Sequence, residues 1–426
     1  MGSRSLRSAV WRGIFMLLLW CGAASAAAQP ADRADGPAPE VWLVTVEPGA
    51  AYWQRFGHNT ILVRKAPGAD SVSFNFGYFD FAQEDFLLRF LRGRMLYQAV
   101  ALEGERDIGG YLEEGRRVWL QRLALDGNQA RRLVEHLEEH VRPANREYRY
   151  DYFVNNCSSK LRDALDLALG GQFKRATEHR SHGLSYRHFA RAYARSLPWL
   201  YLGIDLGLGQ RTDRPLSLWE EAFIPGELKR LVRELKDARG QPLVVEERML
   251  PAGASTLEDS PEAPQWMPLV AAMGLFVAGT IITLGRFAQR SAAARVSVAL
   301  VGGVCALLFA FVGVGLAGFW VATDHTSAWR NENLLLFSPL WLLTLPAWWS
   351  LLRDRPPTVR VFRIAKFALN FALASALFAL ASKVLRSFNQ DNFEWILLLL
   401  PIVAALGQVL LRAGRSRSDR APHSVR

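Results

Sequence analysis

Five apolar stretches between residues 266 and 411 constrain this chain more than any other feature: near 267–285, 296–322, 334–352, 367–382 and 393–411. At 1.5 Å rise per residue, helices of this kind have the reach to cross a hydrocarbon core of about 30 Å. An all-α membrane domain of five transmembrane helices over 266–412 is therefore expected, with a tail at 413–426. The formal charge of +11 over 426 residues has to be read against that layout. Residues 1–26 carry three Arg and no acid, residues 27–265 carry 32 basic and 34 acidic side chains, and residues 266–426 carry 16 and 6. The loops at 286–295 and 353–366 and the tail from Arg412 hold 13 Lys or Arg. The loops at 323–333 and 383–392 hold three, Arg330, Lys383 and Arg386. Basic loops stay in the cytoplasm, so the surplus encodes topology, and no nucleic-acid partner is expected.

The N-terminus gives the same orientation independently. Arg4, Arg7 and Arg12 precede the apolar run Ile14 to Leu19 and the small residues Ala24-Ser25-Ala26, with a second small-residue site at Ala26 to Ala28. This is the order of a secretory signal peptide, 1–26. Cys21 follows bulky Trp20, which argues against a lipoprotein cleavage site. A spacer at 27–39 and a Pro-containing linker at 251–265 then bracket an exported domain, 40–250, large enough to bury a core.

Within that domain, Thr60 to Arg64 and Val72 to Phe76 are rich in β-branched or aromatic residues and flank Pro67-Gly68, so they read as a β-hairpin. A turn centred there pairs Thr60 with Asn75 and Leu62 with Ser73, and places His58, Thr60 and Asn75 on one face. Ala130, Leu133, Val134, Leu137 and Val141 have helical spacing, and Tyr148 to Phe153 reads as extended. Leu161, Ala164, Leu165, Ala168 and Leu169 define a second amphipathic helix, ended by Gly170-Gly171. Asn155 or Asn156 is its N-cap, which puts Cys157 in the first turn, where free amides and the helix dipole favour a thiolate.

Once the signal peptide is removed, only Cys157 and Cys305 remain, and Cys305 lies in the second membrane segment. Cys157 is thus an unpaired thiol in an oxidising compartment. It is either an activated nucleophile or an inert, buried small hydrophobe, and spacing alone does not choose. His58 is the best-placed base, although a single His beside Trp53 and Phe56 is also an ordinary structural residue. His136 and His140 have i, i+4 spacing but no third ligand, and His179 and His182 sit in a polar stretch, so no metal and no cofactor is expected. Arg187 reads as a solvated side chain, with a lipid headgroup phosphate as its functional alternative. Asp205 interrupts Leu197 to Leu208, a run too short to span, which suits a core or interfacial helix. His325, Asn331 and Asn333 fall in an outer loop, where they either meet the exported domain and its substrate or form a plain polar turn.

Together these motifs resemble a known family. Phe56-Gly57-His58-Asn59, Asn75-Phe76-Gly77 with Phe79-Asp80-Phe81, Asn155-Asn156-Cys157-Ser158-Ser159-Lys160-Leu161-Arg162-Asp163, and Trp219 to Pro225 resemble the Lnb N-terminal periplasmic domain family, as does the membrane half with Asp324-His325 and Asn331-Glu332-Asn333. More distantly, a His opening a strand, a polar residue on the next strand and a later Asn-Cys opening a helix is the order of circularly permuted papain-like enzymes (NlpC/P60, lecithin:retinol acyltransferase). The fold so implied is an α+β exported domain, permuted papain-like, ahead of the membrane helices. The implied activity is lipoprotein N-acyl transfer at the bacterial inner membrane, from a phospholipid donor through a Cys157 thioester to the amino group of a diacylglyceryl-cysteine acceptor. His58 would be the base and Asn75 its orienting residue, with an amide at Asn156 or in the helix's first turn as oxyanion support. The rival readings are a membrane-anchored cysteine peptidase or amidase acting on peptidoglycan, and a binding module that has lost its chemistry.

Overall fold

A computed structural model describes residues 37–66, 68–79, 85–237, 239–251 and 262–418, with side chains as far as residue 413. The signal peptide with Cys21, residues 27–36 of the spacer, Pro67, Asp80 and Phe81, residues 252–261 of the linker and the tail from 419 lie outside the described residues.

Strands β1 (Glu40–Val46), β2 (His58–Arg64) and β3 (Ser71–Tyr78) form an antiparallel meander, followed by helix α1 (Phe86–Arg92), β4 (Leu96–Glu103), α2 (Gly104–Glu113) and β5 (Val118–Leu123). Then come α3 (Gly127–His140), β6 (Glu147–Arg149), α4 (Cys157–Ala168), α5 (Gln172–Thr177), α6 (Tyr186–Ala194), α7 (Pro198–Gly207), α8 (Leu218–Glu221), α9 (Pro225–Glu234) and β7 (Val244–Leu250). The strands make one antiparallel sheet in the order β6-β4-β3-β2-β1-β5-β7. Thr60 faces Asn75 and Leu62 faces Ser73, the register that a turn at Pro67-Gly68 requires. Tyr148 to Phe153 is extended only over Glu147–Arg149. Beyond it the Asp151 carboxylate accepts from the amides of Phe153 and Val154 and bends the chain into a turn.

Alternation along the strands separates two cores. Leu43, Ile61, Val63, Phe74 and Phe76 pack with α3, α4 and α9 on one face, whereas Trp42, Val44, Val46, Leu62 and Ile108 pack on the other, where α2 lies. Helix α4 buries Leu161, Ala164, Leu165 and Ala168 and stops where Gly170 and Gly171 take φ of 63° and 81°, conformations open to glycine at no steric cost.

The membrane half consists of α10 (Met267–Phe287), α11 (Ala292–Ala322), a broken third segment ending in α12 (Leu345–Leu352), α13 (Val359–Ala381) and α14 (Phe393–Ser418). Five helical segments here are long and apolar enough to cross a membrane. The third, Glu332–Leu352, begins as two 3-10 turns, Glu332–Leu335 and Pro339–Thr344. Pro339 and Pro346 lack the N–H that a continuous α-helix would need there. The described residues from Ala38 onward form one compact unit, and its two halves meet through the outer loops. The Asp324 carboxylate binds Arg94 and Arg149, and Arg191 reaches Asp391.

Candidate active site

Cys157 is the first residue of α4, and Asn156 is its N-cap. The Asn156 side chain accepts from the Ser159 amide at 2.9 Å and donates through Nδ2 to the carbonyls of Tyr152 and Phe223. The segment Trp219 to Pro225 therefore holds the helix start in place. The backbone amide of Asn156 donates to Ser159 Oγ. Asn155 is equally engaged, its amide donating to the Asp151 carbonyl and its Nδ2 to that of Arg149. Of the two roles expected of these asparagines, helix cap or oxyanion support, Asn156 takes the cap, its own amide being bonded to Ser159, and Asn155 ties the turn. The Lys160 amide is bonded to Asn156 as well, so the first-turn amides without an intrahelical partner are those of Cys157 and Ser158.

His58 opens β2, and its Nε2 lies 2.9 Å from Asn75 Oδ1. Asn75 Nδ2 donates to Asp107 Oδ2 at 2.9 Å and to Ser73 Oγ at 3.1 Å. Asp107 also accepts from Ser73 Oγ at 2.6 Å, and Tyr111 donates to Asn75 Oδ1 at 3.2 Å. This arrangement fixes the proton on the imidazole. An ionised carboxylate only accepts, so the Asn75 atom beside Asp107 is its NH₂ and the atom facing His58 is the carbonyl oxygen. Nε2 is consequently the donor, which leaves Nδ1 for the thiol of Cys157. Residues Asp107 and Tyr111 lie one turn apart on α2, on the face that covers β3.

Cys157 is 8% exposed. Burial pushes its pKa up, but the charge of His58 and hydrogen bonds from His58 and the Asn59 amide outweigh burial and hold it below the usual thiol value. Burial likewise pulls His58 down, and the charge and hydrogen bond of Cys157 together with Asn75 carry it above the usual imidazole value. Each group favours the charged form of the other, as a thiolate–imidazolium pair does. Ser158 Oγ donates to Asn59 Oδ1 at 2.7 Å, while Asn59 Nδ2 donates to Thr45 Oγ1 at 2.8 Å, so α4 is clamped to β2 beside the sulfur. Gly77 bulges from β3 with φ of 93°. A Cβ there would lie at ordinary contact distance, 3.7 Å from that of Cys157 and 3.5 Å from the Tyr150 ring, so it is the positive φ, not lack of space, that calls for glycine.

Cys157, His58 and Asn75 thus come together, with Ser73, Asp107, Tyr111, Asn59 and Ser158 around them. Asn59 and Ser158 belong to the motifs around His58 and Cys157, and Ser73 to the hairpin register, whereas nothing local to Asp107 and Tyr111 marks them as partners of Asn75, because their i, i+4 spacing does not say which strand the helix covers. The outer candidates lie elsewhere. Arg187 is 1% exposed, and its guanidinium is consumed by Asp205, Asp213 and the carbonyls of Asp205 and Leu208. It is neither solvated nor free for a phosphate, because two buried carboxylates within the same fold need its charge. Asn331 and Asn333 donate to the Leu206 carbonyl at the end of α7, and Asn333 Oδ1 accepts from Asn392. His325 Nε2 donates to the Phe90 carbonyl at 2.8 Å. These three residues meet the exported domain as joinery rather than as substrate ligands.

Residues 28–191 match the family model described as the Lnb N-terminal periplasmic domain. The likeness to that family extends over this part of the chain, about two fifths of its length. No curated protein and no solved structure matches the chain. The family together with the five apolar helices makes this a multi-pass membrane protein with a periplasmic N-terminal domain, and points to lipoprotein processing.

Proposed function

We propose that this protein is a lipoprotein N-acyltransferase of the bacterial inner membrane that uses Cys157 as its nucleophile. The observation that carries the reading is the chain Cys157–His58–Asn75–Asp107, set in a domain that is hydrogen-bonded to the outer loops of five membrane helices. The linear order of strand His, next-strand Asn and helix-opening Asn-Cys is that of a permuted papain-like site.

In the first half-reaction His58 Nδ1 takes the thiol proton and the sulfur attacks the ester carbonyl of a phospholipid. The oxyanion forms where the first-turn amides of α4 point. Collapse breaks the ester C–O bond, and the imidazolium returns its proton to the departing lysophospholipid oxygen. In the second half the amine of a diacylglyceryl-cysteine attacks the thioester, His58 accepts the amine proton, and the sulfur leaves to recover it as the thiol. Two successive lipid substrates can then use one site, and tethering the domain to a membrane domain keeps both within reach.

Incubation with phospholipid alone should leave a hydroxylamine-labile acyl group on Cys157, discharged by a diacylglyceryl-cysteine peptide and detected by intact-protein mass spectrometry. Failure of Cys157 to take up acyl chains, together with cleavage of soluble muropeptides by the same preparation, would overturn the assignment in favour of a peptidoglycan amidase.

A further inference from the structure

Helix α1 has an apolar face that nothing among the described residues covers. Leu87, Leu88, Phe90 and Leu91 are 67%, 42%, 40% and 50% exposed. At 100° per residue these four side chains occupy an arc of about 160°, and Arg89 and Arg92 fall outside it. The helix is not a loosely placed loop, because both ends of the contact with the membrane half are specific. The Asp324 amide donates to the Arg92 carbonyl at 2.8 Å, and His325 Nε2 donates to the Phe90 carbonyl, so two of the C-terminal carbonyls of α1 accept from the membrane half. Gly93, which ends the helix at φ of 70°, packs so closely that a Cβ would stand 2.9 Å from the His325 nitrogen.

Those partners fix the level of α1. Span α11 ends at Ala322, two residues before Asp324, and it is apolar to its last turn, with Trp320 and Val321 44% and 81% exposed. A side chain such as Val321 is left bare on a spanning helix because lipid covers it. The C-terminal end of α1 is bonded to Asp324 and His325, the residues that follow the end of that exposed apolar span. We propose that α1 lies in the plane of the outer leaflet, with phospholipid acyl chains as the partner of Leu87, Leu88, Phe90 and Leu91. A short amphipathic helix of this kind seats its apolar arc at the boundary of headgroups and acyl chains. The inference requires only that the five segments span a bilayer; it stands whichever reaction Cys157 performs.

The test uses the full chain in a Cys157→Ser, Cys305→Ala background with Leu88→Cys carrying an environment-sensitive fluorophore, in nanodiscs of phosphatidylethanolamine and phosphatidylglycerol. Replacing part of the lipid by phospholipid with a nitroxide high on its acyl chain should remove about half the fluorescence or more, and a water-soluble paramagnetic quencher should have little effect. The same label at Glu135→Cys, an exposed position on α3, should respond in the opposite sense. The proposal is overturned if the label at 88 follows the aqueous quencher as the one at 135 does. It is equally overturned if the label at 88 is shielded from both quenchers, which would mean that protein covers the face, in a second copy or a bound polypeptide.

Discussion

The polar residues around Cys157 and those around Arg187 are both buried, yet they are built to opposite ends. Around Arg187 every charge is answered. Asp205 holds Arg187, Arg191 and the indole of Trp395, its carboxyl pKa lies below the usual carboxylate range because both arginines outweigh its burial, and Arg187 is pushed above its usual value by Asp213 and Asp205 despite burial. Around Cys157 the donors run in one direction, from His58 to Asn75 and from Asn75 to Asp107, and the other face of the imidazole is turned to a sulfur that His58 and the Asn59 amide hold towards the thiolate. A buried polar cluster that closes on itself holds two parts of a fold together. One that ends on a poised nucleophile is equipped for chemistry.

Substitutions in the two clusters should therefore separate activity from stability. Cys157→Ser should abolish acyl-enzyme formation and leave the melting temperature near that of the wild type, because the side chains are nearly isosteric and only the thiol's acidity is lost; a melting shift without loss of acylation would erase the distinction. His58→Ala should lower turnover by about 10²–10⁴-fold. It should also move the onset of iodoacetamide alkylation at Cys157 to higher pH. With His58 present the thiolate already exists below the ordinary thiol value and reactivity fades only as pH falls through the lowered pKa; without it the sulfur loses its main stabilising charge, and burial then raises that pKa.

Arg187→Met should show the reverse pattern. Removing one partner of a buried ion pair typically costs about 3–5 kcal/mol, here because Asp213 and Asp205 are left facing each other's charge in the interior. Denaturation in detergent should report that loss, and the fraction still folded should alkylate Cys157 at the normal rate. Tyr111→Phe removes one hydrogen bond to Asn75 and should cost about 0.5–1.5 kcal/mol of stability, slowing acylation by no more than about tenfold. Least of all, Asp391→Asn should cost about 0–1 kcal/mol, since that carboxylate is 60% exposed.

Local signals explain why one cluster was largely legible in the sequence and the other was not. Cys157 sits beside its own cap and ahead of an apolar stripe, and Thr60 opposite Asn75 follows from one turn, so short stretches of chain placed the helix start and the hairpin face. Arg187, by contrast, looks like any surface arginine until α7 and the turn containing Asp213 fold back over it. Asn331 and Asn333 look like loop residues until the carbonyl end of α7 arrives above them. The direction of the Asn75 amide likewise depends on Asp107, a residue 32 positions away.

The sequence by itself determined the exported domain and its five membrane segments, the orientation through the basic loops, the β2–β3 register and the position of a lone thiol at a helix start. Each of these rests on periodicity, charge or chain direction, which act over a few residues at a time. Only the tertiary structure decided which polar side chains would be partners, because hydrogen bonds between elements depend on how sheet, helices and membrane segments pack. That is why it turned Arg187, His325, Asn331 and Asn333 from candidate ligands into joinery, recruited Asp107 and Tyr111 behind Asn75, and tied the C-terminal carbonyls of α1 to the loop that follows a membrane span while leaving its apolar face bare.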